Sequence, residues 1–88
     1  MTYRVFWSPT AEARFERIVS GAIDRESLAA AAKLIDKALA ENPLAFGESR
    51  YDNVRVGFVL PLGVQFEVQP DVRTVIVFDV WRIDRKRN

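Results

Sequence analysis

VRVGFVLPLGVQFEVQPDVRTVIVFDVWR, residues 54–82, is the stretch on which the reading of the whole chain turns. Three strands follow one another within it. Val54, Val56, Phe58 and Leu60 alternate with Arg55, Gly57 and Val59, and then Val64, Phe66 and Val68 alternate with Gln65, Glu67 and Gln69. A period of two marks half-buried strands, because successive side chains point to opposite faces. The pattern changes at 75–78, where Val75, Ile76, Val77 and Phe78 are apolar without a break. Such a run predicts a strand covered on both faces or lying inside the sheet. Leu60-Pro61-Leu62-Gly63 and Gln69-Pro70-Asp71-Val72 provide the turns, with Pro presetting φ in each.

Upstream, Tyr3, Val5 and Trp7 alternate with Arg4 and Phe6, so residues 2–7 read as a first strand. Ser8-Pro9 ends it and opens a helix, Ser as N-cap and Pro at the first helical position. Ala11, Phe15, Ile18 and Val19 then fall at i, i+4, i+7 and i+8 on one helical face, and Gly21 supplies a stop. Asp24 is placed to cap a second helix with the stripe Leu28, Ala31, Ala32, Ile35 and Leu39, closed by Asn42-Pro43. Residues 43–53 are polar and read as an irregular loop. Two helices with one apolar stripe each are expected to cover one face of the sheet. The predicted fold is therefore α+β, ordered β-α-α-β-β-β, a helical hairpin on a mostly antiparallel four-stranded sheet. Its last strand is internal and its first strand lies beside it.

The chain has 88 residues, 49% of them hydrophobic, which is enough for one domain over 1–88 and near the lower limit for a single core. It has no cysteine and no histidine. That excludes a disulfide framework and thiolate chemistry, and removes the commonest general base and metal ligand, so neither a metal nor a cofactor is expected. With no leader-like apolar segment and no apolar run approaching ~20 residues, the chain reads as cytoplasmic, with no membrane role. The net charge of +1 hides an asymmetry: residues 82–88 carry +3, which leaves −2 for residues 1–81. Positive charge that could meet nucleic acid is concentrated in a basic tail, 83–88, rather than spread over the body.

YRVFWSPTAEARFERI, PLGVQFEV and RTVIVFDVWR, taken in that order, resemble the RelE/ParE superfamily of bacterial toxins. In that family an opening strand leads through S-P-x-A into a helix, and a C-terminal half near R-V-x-Y-x-V, turn, V-x-V-x-x-V-x-R follows. The likeness covers almost the whole chain. It implies the toxin component of a type II toxin–antitoxin system, inhibiting translation or DNA gyrase. The implied partners are a cognate antitoxin, whose C-terminal segment folds as it lies across the helices and sheet, and either the ribosome with its mRNA or DNA gyrase. RNA-cleaving members are metal-independent, ribosome-dependent endoribonucleases that gather cations around one phosphate, where a preorganised positive group acts on the developing charge.

On the matching positions, Arg50 corresponds to the family's loop arginine, Arg55 to a basic position on the second strand, and Arg82 to the basic residue closing the last strand. Glu67 is the one imaginable base, since alternation keeps it off the face bearing Val64, Phe66 and Val68. The chain also departs from the pattern. Gly63-Val64-Gln65-Phe66 stands where an arginine opens the third strand, Gly57 replaces a second basic residue, and Ile83-Asp84-Arg85 follows Arg82 in place of a Tyr or His. Loss of one transition-state donor commonly costs ~10² to 10³ in rate, so the nuclease motif is weakened or absent. This suits the ParE-like branch, which poisons gyrase by binding. Two alternatives stand beside the toxin: a non-catalytic, toxin-derived protein-interaction module, and a weak RNA-binding domain using Arg50, Arg55 and the tail. Trp7 and Trp81 read as core or core-edge residues rather than base-stacking platforms.

Overall fold

The computed structural model describes residues 2–83. Strand β1 (Arg4–Trp7) leads into helix α1 (Pro9–Ser20) and helix α2 (Arg25–Glu41). A 3-10 turn at Pro43–Ala45 precedes β2 (Glu48–Tyr51), β3 (Val54–Val59) and β4 (Leu62–Gln69), and a second at Pro70–Val72 precedes β5 (Thr74–Arg82). The strands form one sheet in the order β1-β5-β4-β3-β2, with β1 parallel to β5 and every other pair antiparallel. Of the basic tail expected over 83–88, residues 84–88 lie outside the described residues.

Each helix starts for a local reason. The Ser8 hydroxyl accepts from the backbone N–H of Ala11 at 3.1 Å, satisfying one of the donors a helix start leaves open. Pro9 follows at the first helical position. Asp24 occupies the N-cap position of α2, yet its side chain makes no capping bond. Both helices lay their apolar stripes on one sheet face. Leu28, Ile35 and Leu39 of α2 and Ala11 of α1 are fully buried against Leu62, Val64, Phe66, Val68, Val75, Val77 and Val80. Burying a side chain of the Leu or Phe class contributes roughly 1.5–3 kcal/mol, so this layer dominates stability. The Tyr3 N–H donates to the carbonyl of Ala40, which ties β1 to the end of α2.

The sheet differs from expectation in three ways. It has five strands rather than four, because Glu48–Tyr51, read as irregular loop, pairs along β3 as an edge strand. All four of its residues are exposed, so no apolar alternation could announce it. The turn between β3 and β4 is also tighter than the four residues 60–63, since Leu62 and Gly63 already pair in the ladder. Finally, the phase of β3 is inverted. Arg55, Gly57 and Val59 pair with Phe66, Val64 and Leu62 on the helix-covered side, whereas Val54, Val56 and Phe58 share the other face with Glu67, Gln65 and Gly63. Phe46, arriving from the crossover after α2, fills the helix side above β3 and stacks on Phe66 with ring centroids 5.8 Å apart.

The last strand is internal, as its apolar run predicts, and β1 lies beside it. A bulge interrupts β5: Phe66 pairs with Val77 and Gln65 with Asp79, so Val77 and Val80 both reach the core although three residues apart. Its second face is only half covered, with Ile76 and Phe78 partly exposed. Among the described residues no helix is long and apolar enough to cross a membrane.

Candidate functional site

Arg55 lies on the helix-covered side of β3, where it is half-buried. Its Nε donates to the carbonyl of Phe46 and an Nη to that of Gly47, both at 3.0 Å. It thereby fixes the crossover that carries Phe46, satisfying two carbonyls just before β2. Arg50 stands on the exposed edge strand with its guanidinium 3.2 Å from the Glu48 carboxylate. Both partners are solvent-exposed, and such a pair contributes ~0–1 kcal/mol.

Arg82 closes β5 and makes a two-pronged contact with Asp24, Nη1 to Oδ1 at 3.1 Å and Nη2 to Oδ2 at 2.8 Å. The end of the internal strand β5 is thus latched to the link between the helices. Ile83 N–H donates to the Pro61 carbonyl at 2.7 Å and holds the next residue in line. The hydrogen bonds from Arg82, against an opposing desolvation and with smaller help from a backbone hydrogen bond and from the Arg82 charge, hold the Asp24 carboxyl below its ordinary value of 3.8. This employment of both carboxylate oxygens explains why Asp24 leaves α2 without a side-chain cap.

Glu67 sits half-exposed on the opposite face, directly across from Val54 and Ile76. Neither Arg55 nor Arg82 is its cross-strand partner. The four sequence candidates therefore do not converge. Arg55 pairs with Phe66 and Arg82 with Leu62, positions separated by about 13 Å along β4 and by about 10 Å across two strand spacings. Glu67 looks out from the other side of the sheet. No group of three or more His, Cys, Asp or Glu side chains among the described residues is disposed to hold a metal ion.

The two glycines that stand in place of basic residues have packing roles. A Cβ on Gly57 would lie 2.2 Å from the Phe46 ring, and one on Gly63 would lie 2.6 Å from the indole of Trp81. Each is a seat for an aromatic ring, one on either face of the sheet. Trp81 also meets Phe58 edge-on at 6.2 Å, and Phe58 is 50% exposed, so this aromatic pair lies at the surface rather than in the main core. Trp7 packs on the core beside Phe15 at 5.8 Å and donates its indole N–H to Asp36 at 2.7 Å. Asp24, Asp36 and Phe46 are the partners that sequence reasoning missed. Asp24 and Arg82 stand 58 residues apart and Trp7 and Asp36 stand 29 apart, and no local pattern encodes such pairs.

By sequence, the chain matches no protein-family model and no curated protein. Its backbone does match solved structures. The RelBE2 toxin–antitoxin complex from Mycobacterium tuberculosis contains a chain that superposes with a TM-score of 0.77 at 16% identity, over 93% of this chain and 92% of that one. The chromosomal ParDE system of P. aeruginosa gives 0.70 at 17% identity over 93% and 97%, and the isolated E. coli RelE toxin gives 0.65 at 17% over 97% and 88%. This is the RelE/ParE fold. At such identities the likeness is one of architecture, and the RelE/ParE fold by itself fixes neither a target nor a chemistry. The α+β architecture expected from the sequence holds, with β2 as an additional edge strand of this chain's RelE/ParE sheet.

Proposed function

We propose that this chain is the toxin component of a toxin–antitoxin pair and that it acts by binding its target, DNA gyrase or the translating ribosome, without cutting RNA. The observation that carries the first half is the near full-length superposition on the isolated RelE toxin and on chains of the RelBE2 and ParDE systems. The latter two are toxin–antitoxin pairs by name, which supports a cognate antitoxin as partner.

The second half rests on how the basic groups are used. Arg55 is spent on two backbone carbonyls and Arg82 is engaged with Asp24. Arg50 sits beside Glu48, and Glu67 faces away from Arg55 and Arg82. A phosphoryl-transfer site needs its cations and base within hydrogen-bond reach of one phosphate. Four groups divided between two faces of a sheet do not supply that. The basic positions taken by Gly57 and Gly63 are filled by rings instead.

The test is induction in bacteria that carry no matching antitoxin, with soluble expression verified. Arrest of growth is expected, and relief of arrest on co-expression of the cognate antitoxin. Undisturbed growth with abundant soluble protein would remove the toxin reading and leave the non-catalytic interaction module.

A further inference from the structure

A shallow groove runs between α1 and α2. Two sections of it, of about 630 and 500 Å³, meet at Phe15 and Glu16, which line both. Its floor is apolar, since Trp7, Phe15, Val19 and Ala32 pack on the core while remaining open to the groove.

The charges on its walls are sorted by sign along its length. Glu12 and Asp36 stand at the end beside Trp7, Glu16 lies at the middle, and Arg17 and Arg25 line the other section. On α2, Arg25, Ala29, Ala32 and Asp36 recur every three or four residues and so share one flank. That flank carries a cation at one end, a carboxylate at the other, about 16 Å away along the helix, and small side chains between them. The side chains of Glu12, Glu16 and Arg17 have no ion-pair or hydrogen-bonded partner among the described residues. Arg25 reaches only the Ser20 carbonyl, at 3.4 Å. Glu12 and Glu16 are also a like-charge pair at i and i+4, which is unfavourable on a helix with nothing against it.

A face whose charge reverses from end to end is complementary to a copy of itself turned through 180°. A partner of one sign would match one end and be repelled at the other. We propose that two copies of this chain pair through this groove about a twofold axis that crosses α1 and α2 near Glu16. The helices of the two copies then run antiparallel across the contact. Glu12 and Asp36 of each copy face Arg25 of the other, Glu16 faces Arg17, and every such contact occurs twice. Ala29 and Ala32 let the backbones approach, and the two apolar floors are shut away from water between the charged ends. The proposal is independent of the toxin reading, because it concerns the isolated chain.

A strip of this length belongs to the small class of specific interfaces, under ~1,200 Å² in total, so a Kd of about 10–100 μM is expected. The experiment is sedimentation velocity of the intact chain over a concentration series spanning that range, with two charge-reversed variants whose melting curves match the wild type. One is Glu12→Lys/Glu16→Lys and the other Arg17→Glu/Arg25→Glu. Wild type should pass from monomer to dimer. Each variant alone should self-associate at least about tenfold more weakly, because every charged contact has become a like pair. An equimolar mixture of the two should recover the dimer, since each reversed set then meets its opposite. That recovery also shows that neither variant has lost its fold. A wild type that stays monomeric throughout overturns the proposal without recourse to the variants. Variants that dimerise as well as wild type overturn it too, as does a mixture of folded variants that stays monomeric.

Discussion

Gly57 and Gly63 each make room for a ring. At Gly57 the Phe46 ring lies where a Cβ would sit, 2.2 Å away, and Arg55 binds the carbonyls of Phe46 and Gly47 from the same strand. Gly57→Ala is therefore expected to destabilise by about 1–3 kcal/mol through overpacking, read as a lowered urea midpoint. Combined with Phe46→Ala, it should cost measurably less than the sum of the two single changes, since the neighbour it strikes is gone. Asp24 gives a second residue-level expectation. Its folded pKa lies below the ordinary 3.8, so its contribution is present above that pH and disappears as pH falls through the folded value. Acid unfolding below about pH 4 should therefore be shallower in Asp24→Asn than in the wild type, while the variant is less stable at neutral pH. The roles of such residues were not legible in advance. Sequence names Arg82 and Asp24 separately, as a strand end and a helix cap, and only the fold brings them within 2.8 Å.

At the scale of elements, legibility follows burial. The stripes of α1 and α2 and the Val64, Phe66, Val68 alternation of β4 were readable because burial imposes a period on them, and these residues are buried or packed against the core. The short edge strand β2 buries nothing, forms through its pairing with β3, and ends at Asp52 in the left-handed region, φ 47°. The phase of β3 was misleading for a different reason. Valines occur on both of its faces, with Val54 and Val56 buried among polar neighbours on the uncovered side, so apolarity alone could not name the inner one. Helix α1 carries the plainest local signal. Ser8→Ala should cost about 1 kcal/mol, seen as a lower thermal midpoint, and Ser8→Asp should recover most of it.

For the whole molecule, the two helices cover one sheet face and leave the other partly open, with Phe6 and Phe58 each 50% exposed. Arg55 and Arg82 belong to the covered side and Glu67 to the open one. The candidate residues could be read as residue types from the chain, but their separation depends on strand register, which a single sequence does not display. That separation supports the proposal that the chain acts by binding rather than by cutting RNA. The most direct test is to map mRNA ends across coding regions in cells arrested by the induced protein, beside uninduced cells. Arrest with no new ends inside translated sequences is the result expected of a binding toxin. New breaks that vanish when translation is blocked would contradict it, and would mean that Arg50, Arg55, Glu67 and Arg82 assemble into a cleaving site on the target.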